Sequence, residues 1–126
     1  MNALIRYYTY YLALQKCNTH SNYTIHGLWI DYTRGGYPQF CGHTPFELDK
    51  LNNMVSEMKR VWPSCYGDDG VGLWEHEWKK HGTCFPGTPS IVEYFNKTLE
   101  LYKFHEHYFY KICTRKDCMI PVDVYF

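Results

Sequence analysis

Hydrophobic residues divide the chain into short aromatic segments and longer segments with helical spacing. Residues 6–14 are rich in aromatic and β-branched side chains, which favours a strand, and residues 23–28 predict a second, shorter strand. Apolar side chains recur at intervals of three and four over residues 48–61, which predicts an amphipathic helix that stops before Pro63. Residues 44–47 (TPFE) supply its N-cap, first-turn proline and capping-box glutamate.

The second half of the chain predicts two more helices and two late strands. Residues 73–81 follow an Asp-Asp-Gly loop, and residues 90–93 (SIVE) form a capping box that opens a helix to about Tyr102. Residues 108–113 and 122–126 predict strands. The order β, β, α, α, α, β, β favours an α+β fold, with an antiparallel sheet packed against about three helices.

The helix predicted at residues 73–81 concentrates reactive side chains. At 100° per residue, four of them fall within about 140° of the helix circumference. These four are His76, Lys80, Glu77 and His81. Trp74 and Trp78 fall beside that face, where they either wall a cleft or anchor the helix in the core.

Glu77 and His81 are four residues apart, so their side chains can meet. Such a contact would orient the His81 ring and raise its pKa above about 6.5. A third histidine, His26, lies beside a glycine and a tryptophan in residues 24–29 (TIHGLW). Two imidazoles with an acid and a fixed cation indicate proton-transfer chemistry on an anionic substrate. The competing interpretation is a solvated helix face with two structural tryptophans.

The same helix also has to be weighed as a zinc site. His76-Glu77 matches the start of the H-E-x-x-H motif, which needs two histidines four residues apart on one side of a helix. The fourth position is Lys80, whose ammonium opposes a dication, and His81 lies about 140° around the helix. We therefore expect no metal ion and no other cofactor, and keep a metal-binding protein as an alternative.

Composition adds an argument about charge. The chain has 126 residues, of which 19% are aromatic, and this fits one globular domain with a modest core. Its 13 Lys and Arg residues equal its 13 Asp and Glu residues, so no global positive field attracts a polyanion at pH 7. The 7 histidines make the chain cationic in acid. No apolar run approaches the length of about 18 residues that a membrane span needs.

Six cysteines in a small domain predict three disulfides, and the residues themselves leave the pairing open. The alternative is six free buried thiols in a reducing compartment. Two N-x-S/T triplets predict glycosylation at Asn22 and Asn96 and favour the secretory route. Residues 1–15 lack the apolar core of a secretory leader, so we expect the leader to be removed or absent.

Two segments together resemble the active-site segments of the ribonuclease T2 family, the secreted acid ribonucleases that include the S-ribonucleases of plant self-incompatibility. The family segments read approximately F-x-x-H-G-L-W-P and F-W-x-H-E-W-x-K-H-G-T-C. Residues 23–30 read YTIHGLWI and residues 73–84 read LWEHEWKKHGTC. The resemblance extends from about Tyr7 to about Leu101 and resumes near Tyr108.

The chain departs from the family pattern in a few places. Ile30 replaces the usual proline, and Leu73 replaces the usual aromatic residue. A segment after about residue 102 is missing, and the C-terminal end stops early. The resemblance therefore implies a single T2-like domain over residues 1–126, shortened after about residue 102 and at the C-terminus. It also implies a monomer that is secreted or vacuolar/lysosomal.

The resemblance implies an endoribonuclease that cleaves single-stranded RNA without metal, by transphosphorylation through a 2′,3′-cyclic phosphate. This chemistry needs a base at O2′, an acid at O5′ and positive charge beside the non-bridging oxygens. By resemblance, His81 is the general base and His26 the general acid. Lys80 and Glu77 would stabilise the developing charge, Glu77 alternatively only orienting the base, and His76 would bind phosphate.

The resemblance also implies a base pocket and a disulfide pairing. The pocket consists of Trp29, Asp31 and Tyr37, whose competing roles are a core tryptophan, a loop-capping aspartate and a loop tyrosine. We add Trp74 to the substrate-binding set as a wall of the cleft. The implied disulfides are Cys17–Cys65, Cys41–Cys84 and Cys113–Cys118. The implied partner is single-stranded RNA and not a membrane. The alternative is a catalytically impaired secreted recognition or toxin-like module of the same fold.

Overall fold

The structure is a computed structural model that describes residues 7–126, so residues 1–6, including Arg6 of the first predicted strand, lie outside the described residues. Strands and helices are grouped along the chain and do not alternate regularly, which is typical of an α+β fold. In chain order they are β1 (Tyr8–Gln15), β2 (Thr24–Tyr32), α1 (Val55–Val61), α2 (Val71–Lys80), α3 (Ile91–His105), α4 (Phe109–Ile112) and β3 (Asp117–Val122). The expected α+β class is confirmed.

The sheet has three antiparallel strands in the order β2-β1-β3. Leu12 of β1 lies opposite Leu28 of β2 and Ile120 of β3, and all three side chains are buried. Helix α3 packs against β1 and β2, and α2 packs against β2. The apolar row across the sheet therefore forms one side of the core. Among residues 7–126, no helix is long and apolar enough to cross a bilayer.

Three buried tryptophans fasten the helices to the sheet and to each other. Trp62 Nε1 donates to the carbonyl of His26 (2.9 Å), Trp74 Nε1 donates to the carbonyl of Trp62 (2.8 Å), and Trp78 Nε1 donates to the carbonyl of Thr44 (3.0 Å). A buried indole N–H is costly unless it is paired, so each bond fixes the ring that donates it. The first two bonds form a continuous path from α2 to β2.

The helix predicted at residues 48–61 is interrupted. Leu48–Leu51 form only a 3-10 turn, and α1 begins after the Asn52-Asn53 pair. Asparagine is a weak helix former, because its side chain competes for backbone hydrogen bonds. The predicted end of the helix before Pro63 is confirmed, since α1 ends one residue before Trp62.

One of the two predicted capping boxes is present and the other is not. Ser90 and Glu93 bond each other's backbone N–H groups at the start of α3, as predicted. Glu47 instead has extended backbone and makes no capping bond; its carboxylate pairs with Lys50 at 3.4 Å. The prediction at residues 44–47 was wrong because the carbonyl of Thr44 is held by an indole of α2, away from helical geometry.

The strand predicted at residues 108–113 was also wrong. This segment continues α3 through a 3-10 turn, Glu106–Tyr108, into α4. Phe109 and Cys113 are buried there, and their spacing of four places them on one helical face. The late strand is β3, which overlaps the strand predicted at residues 122–126 only at Val122.

All three implied disulfides are present, so the pairing is confirmed. Cys17–Cys65 and Cys41–Cys84 link residues 48 and 43 positions apart, whereas Cys113–Cys118 spans only 5. Cys41–Cys84 ties the loop after β2 to the segment that follows α2. The described residues contain no free cysteine.

Removing Cys41–Cys84 should lower the free energy of unfolding more than removing Cys113–Cys118, because it closes the longer loop. The chain-entropy estimate gives about 4 kcal/mol for Cys41→Ala/Cys84→Ala and about 2 kcal/mol for Cys113→Ala/Cys118→Ala. Urea unfolding of the oxidised proteins measures both losses, with the m-value checking that the denatured states are comparable. Equal losses would contradict the entropic argument.

Candidate active site

His26 occupies a β-bulge in β2. Ala13 pairs with Gly27 and Leu14 pairs with Ile25, so His26 has no partner across the ladder. A bulge places two residues opposite one and re-aims the extra side chain. The side chain is left half-buried, while the carbonyl of the same residue is fixed by an indole N–H. The first imidazole is therefore positioned by strand geometry.

Helix α2 approaches β2 closely at Gly27. A β-carbon on Gly27 would overlap Glu77 Oε1 and would lie 2.6 Å from Trp29 Nε1. Only glycine leaves room there for the carboxyl group of Glu77, which is 1% exposed. The glycine beside the first histidine thus lets a carboxyl group from the helix sit against the strand.

Trp29 contacts the three groups on which the predicted chemistry depends. Its Nε1 donates to Glu77 Oε1 at 2.6 Å. Its ring centroid lies 5.1 Å from that of His26, edge to face, and 5.1 Å from that of His81, stacked at 24°. The two imidazoles, 55 positions apart in the chain, are therefore no farther from each other than those two distances together. One indole connects both histidines and the carboxyl group.

The carboxyl group of Glu77 has an unusual environment. Burial raises its pKa to about 7, and the hydrogen bond from Trp29 and the charge of Lys80 oppose that rise only partly. Below neutral pH the group is therefore largely uncharged. Burial dominates because the group has exchanged water for one N–H donor.

His81 differs from the prediction in its pKa. The expected contact with Glu77 would have raised it, but Nε2 lies 4.0 Å from Oε1, beyond hydrogen-bonding range. Burial, with smaller contributions from the charges of Lys80, His76 and His26, lowers the pKa of His81 to about 3. The ring is 6% exposed, and its Nδ1 has no hydrogen-bond partner among the described residues. His81 is thus a neutral imidazole over most of the acidic range.

His26 is less enclosed. Burial lowers its pKa, the nearby Asp117 opposes this, and the charges of His76 and Lys80 add to the lowering. Asp117 is absent from the causes acting on His81, so the two imidazoles have different electrostatic surroundings. Such a difference is what a paired acid and base require.

The cationic groups lie on the open side of α2. His76 is exposed, and Lys80 is half-buried with its Nζ 5.5 Å from the centre of the Tyr37 ring. The Tyr37 ring lies 6.2 Å from that of His81. The predicted face is therefore divided: Glu77 and His81 point inward, and His76 and Lys80 face solvent.

The remaining predicted substrate contacts have different outcomes. Asp31 is half-buried two residues after Trp29, on the same side of β2, and burial raises its pKa. Trp74 is 0% exposed and donates to a backbone carbonyl, so it cannot wall a cleft. The structure corrects that prediction, because the helix turns this ring into the core.

The sequence argument missed three contributors to the site. Gly27 and Trp62 act through backbone approach and a carbonyl contact, which spacing does not reveal. Phe40 has φ of 50° and donates its N–H to the carbonyl of Lys80 at 2.9 Å. Its position next to Cys41 was the available indication, since the disulfide brings that loop to α2.

Comparisons with known proteins agree with this geometry. The family model described as the ribonuclease T2 family matches residues 7–119. Ribonuclease 3 of Arabidopsis thaliana is 39% identical over 84 residues, covering 64% of this chain and 38% of the relative. Extracellular ribonuclease LE of Solanum lycopersicum is 35% identical over 85 residues, covering 64% and 37%. The chain thus spans under two fifths of the length of these curated relatives.

Structural comparison gives the same result. The crystal structure of RNase NT in complex with 5′-AMP matches with a TM-score of 0.71 and 27% identity, covering 86% of this chain and 63% of that one. Since the family model covers nearly all the described residues, including both histidine segments, the chain belongs to the ribonuclease T2 family.

Proposed function

We propose that this protein is an endoribonuclease that cleaves single-stranded RNA by transphosphorylation through a 2′,3′-cyclic phosphate. The observation that carries the proposal is the meeting of His26 and His81 on Trp29, beside a buried carboxyl group and the ammonium of Lys80. Two imidazoles near one phosphodiester can move one proton each, so no metal ion is required. Family membership supports the reaction class.

His81 acts as the general base and His26 as the general acid. His81 is neutral above about pH 3, so its imidazole can accept the proton of a 2′-hydroxyl. His26 is the imidazole whose pKa a carboxylate, Asp117, supports, so it retains the proton needed by the departing 5′-oxygen.

The charge that develops on the phosphorane is met by three groups. Lys80 supplies a fixed cation, and the exposed His76 binds a phosphate oxygen. Glu77 is protonated below about pH 7, so under acidic conditions it neither repels the phosphate nor needs a counter-ion. A neutral carboxyl group can donate a hydrogen bond to a non-bridging oxygen.

A nucleobase of the RNA substrate is bound on the Trp29 side of the site. Tyr37, 44% exposed, offers a ring face, and Asp31 offers a polar edge on the same side of β2 as Trp29. Trp29 itself is mainly a positioning residue in this arrangement. Its N–H is used by Glu77 and one of its faces is covered by His81.

The cellular location proposed for the protein is based on its relatives, which include an extracellular ribonuclease. We propose a monomer of the secretory pathway, secreted or vacuolar/lysosomal, formed as a single domain that is shortened after about residue 102. The asparagines of both predicted glycosylation sites, Asn22 and Asn96, are exposed. Thr24 and Thr98 of the two triplets are buried, so these residues also have structural reasons to be present. Glycosylation stays a prediction.

A second candidate function is a catalytically impaired recognition or toxin-like module. It is favoured by the departures from the family's active-site segments, namely Ile30 in place of proline and Leu73 in place of an aromatic residue. A protein of this kind would fold and bind RNA without cleaving it. The first prediction below separates the two functions.

His81→Ala should reduce cleavage of a dinucleotide or of single-stranded RNA by about 10²–10⁴-fold, because the general base is removed. The assay is run with a chelator present, and His107→Ala, an exposed histidine beyond α3, is the matched control that should retain full activity. A wild-type protein that folds but cleaves at no pH would support the impaired module instead.

Activity should be bell-shaped in pH, with its maximum in the acidic range. The base is available above about pH 3, and the acid is available only below the lowered pKa of His26, under the ordinary value of about 6.5. Ionisation of Glu77 near pH 7 adds to the loss at higher pH. The pH dependence of kcat/KM measures both limbs. A maximum above neutral pH would contradict the assignment of the two histidines.

Trp29→Phe should raise the pKa of Glu77 above about 7, because the N–H that stabilises the carboxylate is lost while burial remains. NMR titration of the labelled carboxyl carbon measures the shift without any assay of activity. Trp78→Phe removes a buried indole N–H that bonds Thr44 instead, and should leave the Glu77 titration unchanged. An unchanged pKa in Trp29→Phe would show that the hydrogen bond does not set it.

A further inference from the structure

The loop between β2 and α1 carries two exposed aromatic rings toward α2. Tyr37 is 44% exposed and Phe40 is 57% exposed. The Tyr37 ring lies 6.2 Å from that of His81, and the Phe40 ring lies 6.3 Å from that of His76, edge to face. The loop therefore places one aromatic ring near each end of the reactive face of the helix.

Phe40 is held firmly although its side chain is largely exposed. Its N–H donates to the carbonyl of Lys80 at 2.9 Å. The next residue, Cys41, forms the disulfide with Cys84 and donates its N–H to Thr83 Oγ1 at 3.1 Å. The backbone is thus fixed to the end of α2 at two consecutive residues.

The backbone conformation of Phe40 is one that aromatic residues rarely adopt. Its φ of 50° lies in the left-handed region, where the β-carbon crowds the following carbonyl. Strained residues of this kind persist only where the surroundings impose them, and they concentrate at ligand-binding positions. Here the strain keeps a large apolar ring in solvent beside His76, the phosphate-binding residue of the proposed site.

The order of groups along this side of the molecule suits a single strand. Tyr37 comes first, followed by His81 and Lys80, then His76 one turn earlier in the helix, and finally Phe40. Two rings therefore flank a row of basic side chains, of which Lys80 is the fixed cation. Aromatic rings that accept bases, separated by cations that accept phosphates, are the usual elements of a single-strand binding surface.

We propose that Phe40 is a stacking platform for a second base of the RNA strand, on the far side of His76 from Tyr37. This proposal rests on the proposed function, since it extends the same site by one nucleotide or more. Leu73, about two helical turns before Lys79-Lys80 and three residues before His76, is aliphatic, so α2 itself supplies no ring at this end. Phe40 supplies it from the loop, and because every base has a π-face the platform accepts bases of any sequence.

The experiment measures binding of a strand that cannot be cleaved. A fluorescent oligonucleotide with 2′-deoxyribose at every position lacks the attacking hydroxyl, so its Kd is independent of catalysis. At mildly acidic pH, Phe40→Leu should weaken binding by about 5- to 10-fold, the lower end of the range for one stacked base. Phe40→Trp should bind at least as tightly as wild type.

A matched control is available elsewhere on the surface. Phe104 is 72% exposed, and its ring lies 5.0 Å from that of His105, also edge to face. Phe104→Leu removes a similar ring far along α3 and should leave the Kd unchanged. Phe40→Asn guards against misfolding, because asparagine tolerates left-handed backbone, and it should weaken binding as Phe40→Leu does.

A scan with abasic positions separates stacking from a general structural effect. In wild type, one abasic position should weaken binding by about 5- to 10-fold. With Phe40→Leu the same abasic position should have no further effect, which is the coupling expected of two groups in contact. The proposal is overturned if Phe40→Leu and Phe40→Asn bind like wild type, if the abasic and Phe40 effects simply add, or if wild type does not bind the strand.

Failure of the proposed function has a different signature. If the protein binds the uncleavable strand with this dependence on Phe40 but never cleaves RNA, the stacking proposal stands and the proposed ribonuclease activity fails. If cleavage depends on His81 but binding does not depend on Phe40, the proposed ribonuclease activity stands and the stacking proposal fails.

Discussion

The burial of the Glu77 carboxyl group against β2 is the constraint from which the rest of the site follows. The group fits only because Gly27 has no side chain, and it is tolerated only because Trp29 donates to it and burial shifts it toward its neutral form. The same close approach brings the end of α2, and with it His81, to the bulge that carries His26. The position of His81 beside His26 and the neutral form of Glu77 thus both follow from the close approach of α2 to β2.

The scaffold that keeps this approach in place consists largely of indole N–H groups. Three of the four tryptophans donate to backbone carbonyls, and the fourth, Trp29, donates to the site itself. Each contact joins segments distant in the chain, and all of them lie within residues 7–126. The contacts that position the histidines are therefore made by the described residues themselves.

Sequence patterns predicted those parts of the fold that local chemistry determines. Ser90 and Glu93 form a capping box because the partners are three residues apart. The strand predicted at residues 23–28 carries His26, whereas the helix predicted at residues 73–81 ends at Lys80, one residue before His81. The run at residues 108–113 was assigned to the wrong class because aromatic composition is shared by strands and buried helical turns. The bulge at His26 and the lowered pKa of His81 depend on burial by distant residues, which spacing along one chain does not contain.

The Cys41–Cys84 bond also makes the loop dependent on the redox state of its surroundings. Tyr37 and Phe40 approach α2 on a segment whose strained backbone is held by this bond and by a few hydrogen bonds. Glutathione at cytosolic potentials reduces disulfides that are exposed or strained. In a reducing environment this segment would lose its covalent tie to the end of α2 while His26 and His81 kept theirs to the backbone of β2 and α2, so the position of both exposed rings depends on oxidation of Cys41 and Cys84.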